Sequence, residues 1–380
     1  MANIIIYVQD LRSSGVVRDA IRLADHCAER HRVTLVAGHG NGFFRQVAGQ
    51  GRHDFVALRE STRSPVAMKL HAALSLRRWL AGRPPSLIVS MGNMGHATPF
   101  LATFGSHRHA CVYRISNEIA RGDGLRGVLR AIWMKMLIAD AMSIPLVGAA
   151  LARNPIFAEA LADGRAVEMR SGVDLAEARE KAAAPSPHPW FEAAVPIILA
   201  IGRLRPQKNH ELLIAAVAKL REKARLVIVG GGTDEERARY TRIAADAGLG
   251  DDSFLLAGET DNVFAWLSRA KLFALPSRWE GSSVALIEAM AVGTPIVAST
   301  LAGDAAEVLD HGRYGRLFDG EDADALAAAI STQLSDEVVT PGDRASAYAS
   351  PDSDYLTLFE SLIDARFVAR RPRNLWMKAR

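Results

Sequence analysis

Residues 196–210 read Pro196-Ile197-Ile198-Leu199-Ala200-Ile201-Gly202-Arg203-Leu204-Arg205-Pro206-Gln207-Lys208-Asn209-His210. An unbroken apolar run, Ile197–Ile201, leads into a glycine and then a short loop holding Arg203 and Lys208. Such a run suits a parallel strand covered by helices on both faces. The loop leaving it lies at the C-terminal edge of the sheet, where α/β folds bind ligands. A helical pattern starts near Asn209, a residue suited to cap it. Arg203 can fork onto a phosphate, Lys208 adds a point charge, and the helix start adds partial positive charge. The loop suits a diphosphate, although by itself it also reads as a solvated basic turn.

Outward from this stretch the same rhythm recurs. Downstream strands are expected at Arg225–Val229, Ser253–Leu256, Leu272–Leu275, Pro295–Ala298 and Gly315–Phe318. Helices are expected over about 209–221, 234–247, 261–268, 283–292 and 322–334. Upstream strands are expected at Ile4–Val8, Val33–Ala37, Leu87–Ser90, Ala110–Arg114, Ala141–Pro145 and Ala166–Met169, with helices such as Val17–Glu29 and Leu125–Ala139 between them. This βαβαβ order means a doubly wound α/β architecture. Residues 175–195 are alanine-rich and charged, pass through Pro185-Ser186-Pro187-His188-Pro189, and read as a linker. The expectation is two Rossmann-like domains, an N-terminal one over 1–178 and a C-terminal one over 179–357. The last segment is helical in pattern and carries Arg370-Arg371-Pro372-Arg373. Its charge resembles the first domain's, so residues 358–380 are expected to cross back onto that domain.

The chain has 380 residues, 49% hydrophobic and 23% charged, which fits a globular protein of two domains. It holds no apolar run long enough to span a membrane. The N-terminus reads as a first strand and not as a signal peptide. Cys27 and Cys111 lack metal-ligand or CxxC spacing and read as plain core thiols of a reduced, cytoplasmic compartment. The net charge of +4 is unevenly placed: residues 1–174 carry 22 Lys/Arg against 13 Asp/Glu, and residues 175–360 carry 18 against 28. The basic half calls for an anionic partner, such as a membrane face or a pyrophosphate-linked acceptor. Nucleic acid is disfavoured because no helix-turn-helix, zinc or RNP-type signature is present.

The second informative stretch is Leu275-Pro276-Ser277-Arg278-Trp279-Glu280-Gly281-Ser282-Ser283-Val284-Ala285-Leu286-Ile287-Glu288-Ala289-Met290. Glu280 lies in a strand-to-helix loop and Glu288 on the helix that follows. Two acids so placed can reach different parts of one extended ligand, and a carboxylate can accept from two hydroxyls of a sugar. Gly281 permits close backbone approach, and the N–H groups of Ser282, Ser283 and Val284 follow it. Glu288 stands among Leu286, Ile287, Ala289 and Met290, so it needs a polar partner.

Taken together, 201–210 and 275–295 resemble the retaining glycosyltransferases of family 4, whose GT-B fold sets two Rossmann-like domains facing across a cleft. The likeness covers nearly the whole chain. Leu11–Ala24 resembles the family's first glycine-containing loop and helix, Ser171-Gly172-Val173-Asp174 its run before the linker, and Val229-Gly230-Gly231-Gly232 its second-domain glycine turn. The resemblance implies that Arg203 and Lys208 hold the donor diphosphate and neutralise the leaving group. It implies that Glu288 binds the ribose and Glu280 the ring hydroxyls of the transferred sugar. The backbone of Gly281 to Val284 would bind sugar and phosphate, Gly202 would open the phosphate loop, and Gly258 would sit beside the base.

The first domain departs from the commonest pattern, in which a histidine stands near the end of the strand equivalent to Ala110–Arg114. This chain has Arg114-Ile115-Ser116-Asn117-Glu118 there. Asn117 can bond a sugar hydroxyl, and Glu118 can accept a proton or bind acceptor. The first loop, Arg12-Ser13-Ser14-Gly15, has one glycine, and Gly15 is expected to let the backbone approach the donor phosphate. No metal or other cofactor is expected: Asp322 and Asp324 stand at a helix start where acids cap, and His107 and His109 read as surface residues. Arg121, Arg126, Arg130 and Lys135 lie around Leu125–Ala139, a basic amphipathic pattern suited to an anionic membrane or to an ordinary half-buried helix.

The expected reaction moves a sugar from a UDP- or GDP-linked donor to a glycan or lipid-linked acceptor, at a peripheral membrane location. The alternatives are an epimerase or phosphorylase on the same fold, or a protein that binds nucleotide sugars without turnover. A dinucleotide dehydrogenase is disfavoured because no strand is followed by GxGxxG.

Overall fold

A computed structural model describes residues 1–12, 15–59, 65–117, 124–220, 223–335, 338–349 and 351–368. The chain forms two compact units. The first takes Met1–Leu146, Ala152–Met169 and the segment from Asp352, and the second takes Val147–Leu151 and Arg170–Pro351. The units therefore change at 169/170 and 351/352, where the sequence reading drew its boundaries at 178 and 357.

In the first unit the order is β1 (Asn3–Val8), α1 (Gly15–Ala28), β2 (Arg32–Ala37), β3 (Asp54–Ala57), α2 (Pro65–Ala81), β4 (Leu87–Met91), α3 (Ala97–Thr103) and β5 (Ala110–Arg114). Then follow α4 (Gly124–Asp140), β6 (Ile144–Val147), α5 (Ala149–Ala152), α6 (Ala158–Ala162) and β7 (Ala166–Met169). The sheet runs β3-β2-β1-β4-β5, all parallel, and bridges at Val112–Ser143 and Ile115–Leu146 set the β6 segment beside β5. Ile4, Ile6 and Val8 share a core with Val17, Ala20, Ile21 and Ala24 of α1. β3 escapes the sequence reading because it is a partly exposed edge strand of four residues. β6 begins later than expected because Ala141 still closes the preceding helix, its N–H donating to the Leu137 carbonyl at 2.9 Å. His109 is buried, against the surface position expected of it. Cys27 and Cys111 are free and buried.

The second unit contains α7 (Leu175–Ala182), β8 (Ile197–Ile201), α8 (His210–Ala218), β9 (Arg225–Val229), α9 (Asp234–Asp246), β10 (Phe254–Gly258) and α10 (Val263–Leu267). It continues with β11 (Leu272–Leu275), α11 (Val284–Ala291), β12 (Ile296–Ser299), α12 (Ala305–Val308), β13 (Arg316–Phe318) and α13 (Ala323–Leu334). Its sheet is parallel throughout, ordered β10-β9-β8-β11-β12-β13. The linker reading fails over its first half. Asp174 caps α7 by accepting from the N–H groups of Ala176 and Glu177 at 2.8 and 3.0 Å, and Ala178 is buried. Asp322 caps α13, accepting from the Asp324 N–H at 2.8 Å.

The last helix, α14 (Pro351–Ile363), places Tyr355, Leu356, Phe359 and Ile363 in the first unit's core. Arg22 pairs with Asp352 at 2.7 Å, and the buried Arg114 donates to the Tyr355 hydroxyl at 2.9 Å. Residues 370–373 lie outside the described residues.

Candidate functional site

Three loops leave the C-terminal edge of the second sheet side by side. The Gly202 N–H donates to the Val229 carbonyl at 2.9 Å, Leu204 N–H to Gly231 at 2.9 Å, and Gly230 N–H to Gly258 at 2.7 Å. These bonds continue the β8–β9–β10 ladder into the loops. Gly230 must be glycine: a Cβ there would lie 2.1 Å from the Gly202 carbonyl oxygen. The loop of Arg203 and Lys208 is thus seated backbone on backbone.

Asn209 does not cap α8 as expected. It stands at the N-cap position with φ of 51°, in the left-handed region, without a side-chain cap bond. That conformation turns the chain from the Pro206–Lys208 turn into the helix. The next residue, His210, is buried and donates from Nε2 to the Gly202 carbonyl at 3.2 Å. Burial pushes its imidazole down to about 4, so it stays neutral near pH 7 and acts as a fixed donor behind the loop. Nothing in its sequence context except its place after Asn209 marked it.

Lys208 runs its aliphatic stem over Gly202, where a Cβ would fall 2.8 Å from Lys208 Cδ and Cε. Its ammonium donates to Glu280 Oε1 at 2.6 Å. The same oxygen accepts from the Ser277 hydroxyl at 2.8 Å, and Oε2 accepts from Gln207 Nε2 at 3.1 Å. Gln207 also donates to the Trp279 carbonyl at 2.9 Å, and the Arg278 N–H donates to the Gln207 carbonyl at 2.9 Å. The 202–208 loop and the 277–281 loop, far apart in sequence, are therefore one structure. The Glu280 side chain is 7% exposed and that of Lys208 20%, so the pair is held in a partly dehydrated setting where charge matters more than in water. Sequence reasoning gave these two residues separate ligand contacts; here they are each other's partner.

Beyond Glu280, Gly281 is buried, Ser282 and Val284 are half-buried, and Ser283 stands at the N-cap of α11. The Ser283 hydroxyl is buried and meets no hydrogen-bond partner among the described residues. Glu288, one turn into α11, is 4% exposed. Arg203 is exposed and Gly258 half-buried. Gly303, with φ of 65°, supports the loop from the β12 side: a Cβ there would lie 2.5 Å from the Glu280 carbonyl oxygen.

Sequence reasoning missed Asp304, which follows Gly303 at the same edge. It is 6% exposed, hydrogen-bonds the Ser282 side chain, and burial pushes its carboxyl up to about 7. Its Oδ1 meets no partner among the described residues. Gly148 gives it room, since a Cβ there would stand 2.9 Å from Asp304 Oδ2. An acid directly after a glycine, in the loop that follows the buried strand β12, was the available signal.

On the first unit, Gly15 opens α1 and is half-buried. Asn117 is half-buried, and its carbonyl accepts from Asn93 Nδ2 at 2.5 Å. Asn93 Oδ1 in turn accepts from the Ser116 N–H at 3.1 Å. Arg114 pairs with Asp19 at 2.9 Å and serves the core. The Ser13, Ser14 and Glu118 readings lie outside the described residues. Among the described residues no group of three or more His, Cys, Asp or Glu is set to hold a metal ion.

Residues 195–336, within the second unit, match the family described as glycosyl transferases group 1. Over 173 residues the chain is 32% identical to the GDP-mannose-dependent alpha-(1-6)-phosphatidylinositol monomannoside mannosyltransferase of Mycobacterium tuberculosis, covering 43% of this chain and 43% of that protein. It is 34% identical over 179 residues to the lipopolysaccharide core biosynthesis mannosyltransferase LpcC of Rhizobium leguminosarum bv. viciae, covering 44% of this chain and 49% of that protein. The chain thus spans less than half the length of these curated relatives. Anabaena HepE, solved with UDP and glucose, superimposes with a TM-score of 0.77 at 18% identity, over 95% of this chain and all of that one. That likeness is one of fold: α/β, with two Rossmann-like units of the GT-B kind.

Proposed function

We propose, from the match of residues 195–336 to glycosyl transferases group 1, that the chain transfers a sugar from a nucleoside-diphosphate donor to an acceptor, with retention of anomeric configuration. The observation that carries this reading is the Lys208–Glu280 pair, set with Gln207 and Ser277 between two loops at the C-terminal edge of a parallel sheet. A cation there suits a diphosphate, and an acid 2.6 Å from it suits the hydroxyls of the adjoining sugar.

In this reading Arg203 and Lys208 hold the diphosphate, and the N–H groups of Gly281 to Val284 bind phosphate and sugar. Glu280 takes the sugar hydroxyls, Glu288 the ribose, and the loop at Gly258 the base. The bond from C1 to the diphosphate oxygen breaks, the acceptor oxygen bonds to C1, and the acceptor proton passes to the leaving phosphate. Charge stabilisation of the departing diphosphate is the main catalytic effect. Arg203 and Lys208 supply that charge, so turnover needs no metal. Gly15 and Asn117 of the first unit are proposed as backbone and side-chain donors to the substrate.

The donor is UDP- or GDP-linked and the acceptor is a glycan or a lipid-borne sugar. The names of the relatives, with a phosphatidylinositol monomannoside and a lipopolysaccharide core, support the lipid-borne class. The test is to incubate the chain with UDP- and GDP-sugars and a lipid extract, following nucleoside diphosphate release and the product's anomeric signal by NMR. Acceptor-dependent release with an unchanged anomer is expected. Altered free sugar without acceptor would mean an epimerase, and binding without release would mean a sensor.

A further inference from the structure

We infer that the first unit docks on an anionic lipid bilayer through a face made by α4, the end of α3, and α2. The inference starts from the side of α4 that meets water. Leu125, Val128, Leu129, Ile132 and Met136 are between 44% and 74% exposed. Their spacing of three and four puts them on one stripe of the helix. The opposite side holds the buried Met134 and Leu137. The sequence pattern alone suits an anionic membrane or an ordinary half-buried helix, and here an apolar stripe of the helix meets water. Five large apolar side chains in one exposed row mark an interaction surface, because scattered exposure does not produce a row.

The row continues onto neighbouring helices. Trp133 of α4 meets Phe100 of α3 edge to face at 5.1 Å, and Phe100 lies 5.9 Å from Phe104. Phe104 is 63% exposed, and its carbonyl accepts from Arg77 of α2 at 3.1 Å. Leu101 of α3 and Leu70 and Leu74 of α2, two helices that pack on each other, are exposed as well.

Charge selects the occupant. Residues 61–113 contain six Lys/Arg and no Asp or Glu. Arg77, Arg78, Arg108, Arg130 and Lys135 are exposed. The single acid of α4, Asp140, accepts from the Tyr113 hydroxyl. A second copy of this face would bring cations against cations, whereas anionic headgroups neutralise them. No described helix is long and apolar enough to cross a membrane, so α4 lies along the surface with its stripe among the acyl chains and its basic groups at headgroup level.

This deepens the lipid-borne acceptor reading and is tested apart from it. The full chain is sedimented with vesicles of phosphatidylcholine alone or with about a third phosphatidylglycerol, at about 0.05 and 0.5 M salt. Binding is expected to anionic vesicles at low salt, and to fall about tenfold or more without the anionic lipid or at high salt. The variant Leu129→Glu/Ile132→Glu, whose exposed positions leave the melting curve unchanged, should lose binding to the same degree. Arg130→Glu/Lys135→Glu should lose the preference for anionic lipid. Absence of binding at low salt would overturn the inference, as would undiminished binding by the Leu129/Ile132 variant. So would a wild-type dimer in light scattering that this variant dissociates. The vesicles carry no acceptor, so failure here leaves the transferase reading intact, and failure of donor binding leaves this one intact.

Discussion

Replacing Lys208 by methionine keeps the stem that lies over Gly202 and deletes the charge that meets Glu280. Two separate losses should follow. The first is stability. Removing one partner of a fully buried pair costs about 3–5 kcal/mol. Lys208 is one-fifth exposed, and Glu280 keeps Ser277 and Gln207 as donors. The loss should therefore be smaller, about 1–3 kcal/mol, or roughly 3–10 °C in Tm. The second loss is donor affinity. A charge-assisted contact to the diphosphate contributes about 1.5–3 kcal/mol, which is about 10–150-fold in Kd. Urea melts measure the first, and calorimetric titration with UDP and GDP measures the second. Glu280→Gln is the control: it removes the acid but leaves the lysine charged, so nucleoside diphosphate affinity should hold while sugar transfer falls. If Lys208→Met melts early yet binds nucleoside diphosphate with the wild-type Kd, the lysine is only Glu280's structural partner and the phosphate role is wrong.

Further outcomes follow from the same geometry. Asp304 is raised from 3.8 to about 7 in the fold, so its contribution to stability is greatest at low pH and is lost as pH rises from about 4 to about 7. The effect is bounded by about 4 kcal/mol. Urea melts at pH 5 and pH 8 should show this difference shrink in Asp304→Asn, and an unchanged difference would contradict it. Gly230→Ala must push the Gly202 carbonyl aside from a 2.1 Å approach, and should cost about 2–4 kcal/mol in a denaturant melt. Glu288→Gln should weaken nucleoside diphosphate binding by about 1.5–3 kcal/mol while leaving inorganic pyrophosphate inhibition unchanged. Chelation with EDTA should leave turnover unaltered, and a loss restored by a divalent cation would transfer the charge role from Arg203 and Lys208 to a metal.

The strands of both sheets were legible because runs such as Ile197–Ile201 and Leu272–Leu275 are apolar without alternation, as a sheet covered on both faces demands. β3 was hidden by the same logic, since an edge strand need not be apolar throughout. α7 was obscured by the prolines that follow it, although Asp174 supplied a good cap. The two site loops were readable one at a time. Their union was not, because Lys208 and Glu280 stand 72 positions apart and only the β8–β11 pairing brings them together. Asp304 carried too little local pattern to stand out. For α4 the periodicity announced two faces without saying which one the core would take, and the structure gives the core Met134 and Leu137.

The account rests on the second unit being a nucleotide-sugar site, and thermal unfolding of the full chain with UDP-, GDP- and ADP-sugars tests that most directly. One nucleotide class should raise the melting temperature in a concentration-dependent way, and the rise should be lost in a variant carrying both Arg203→Ala and Lys208→Ala. No shift with any donor, or the same shift in the variant, would contradict it.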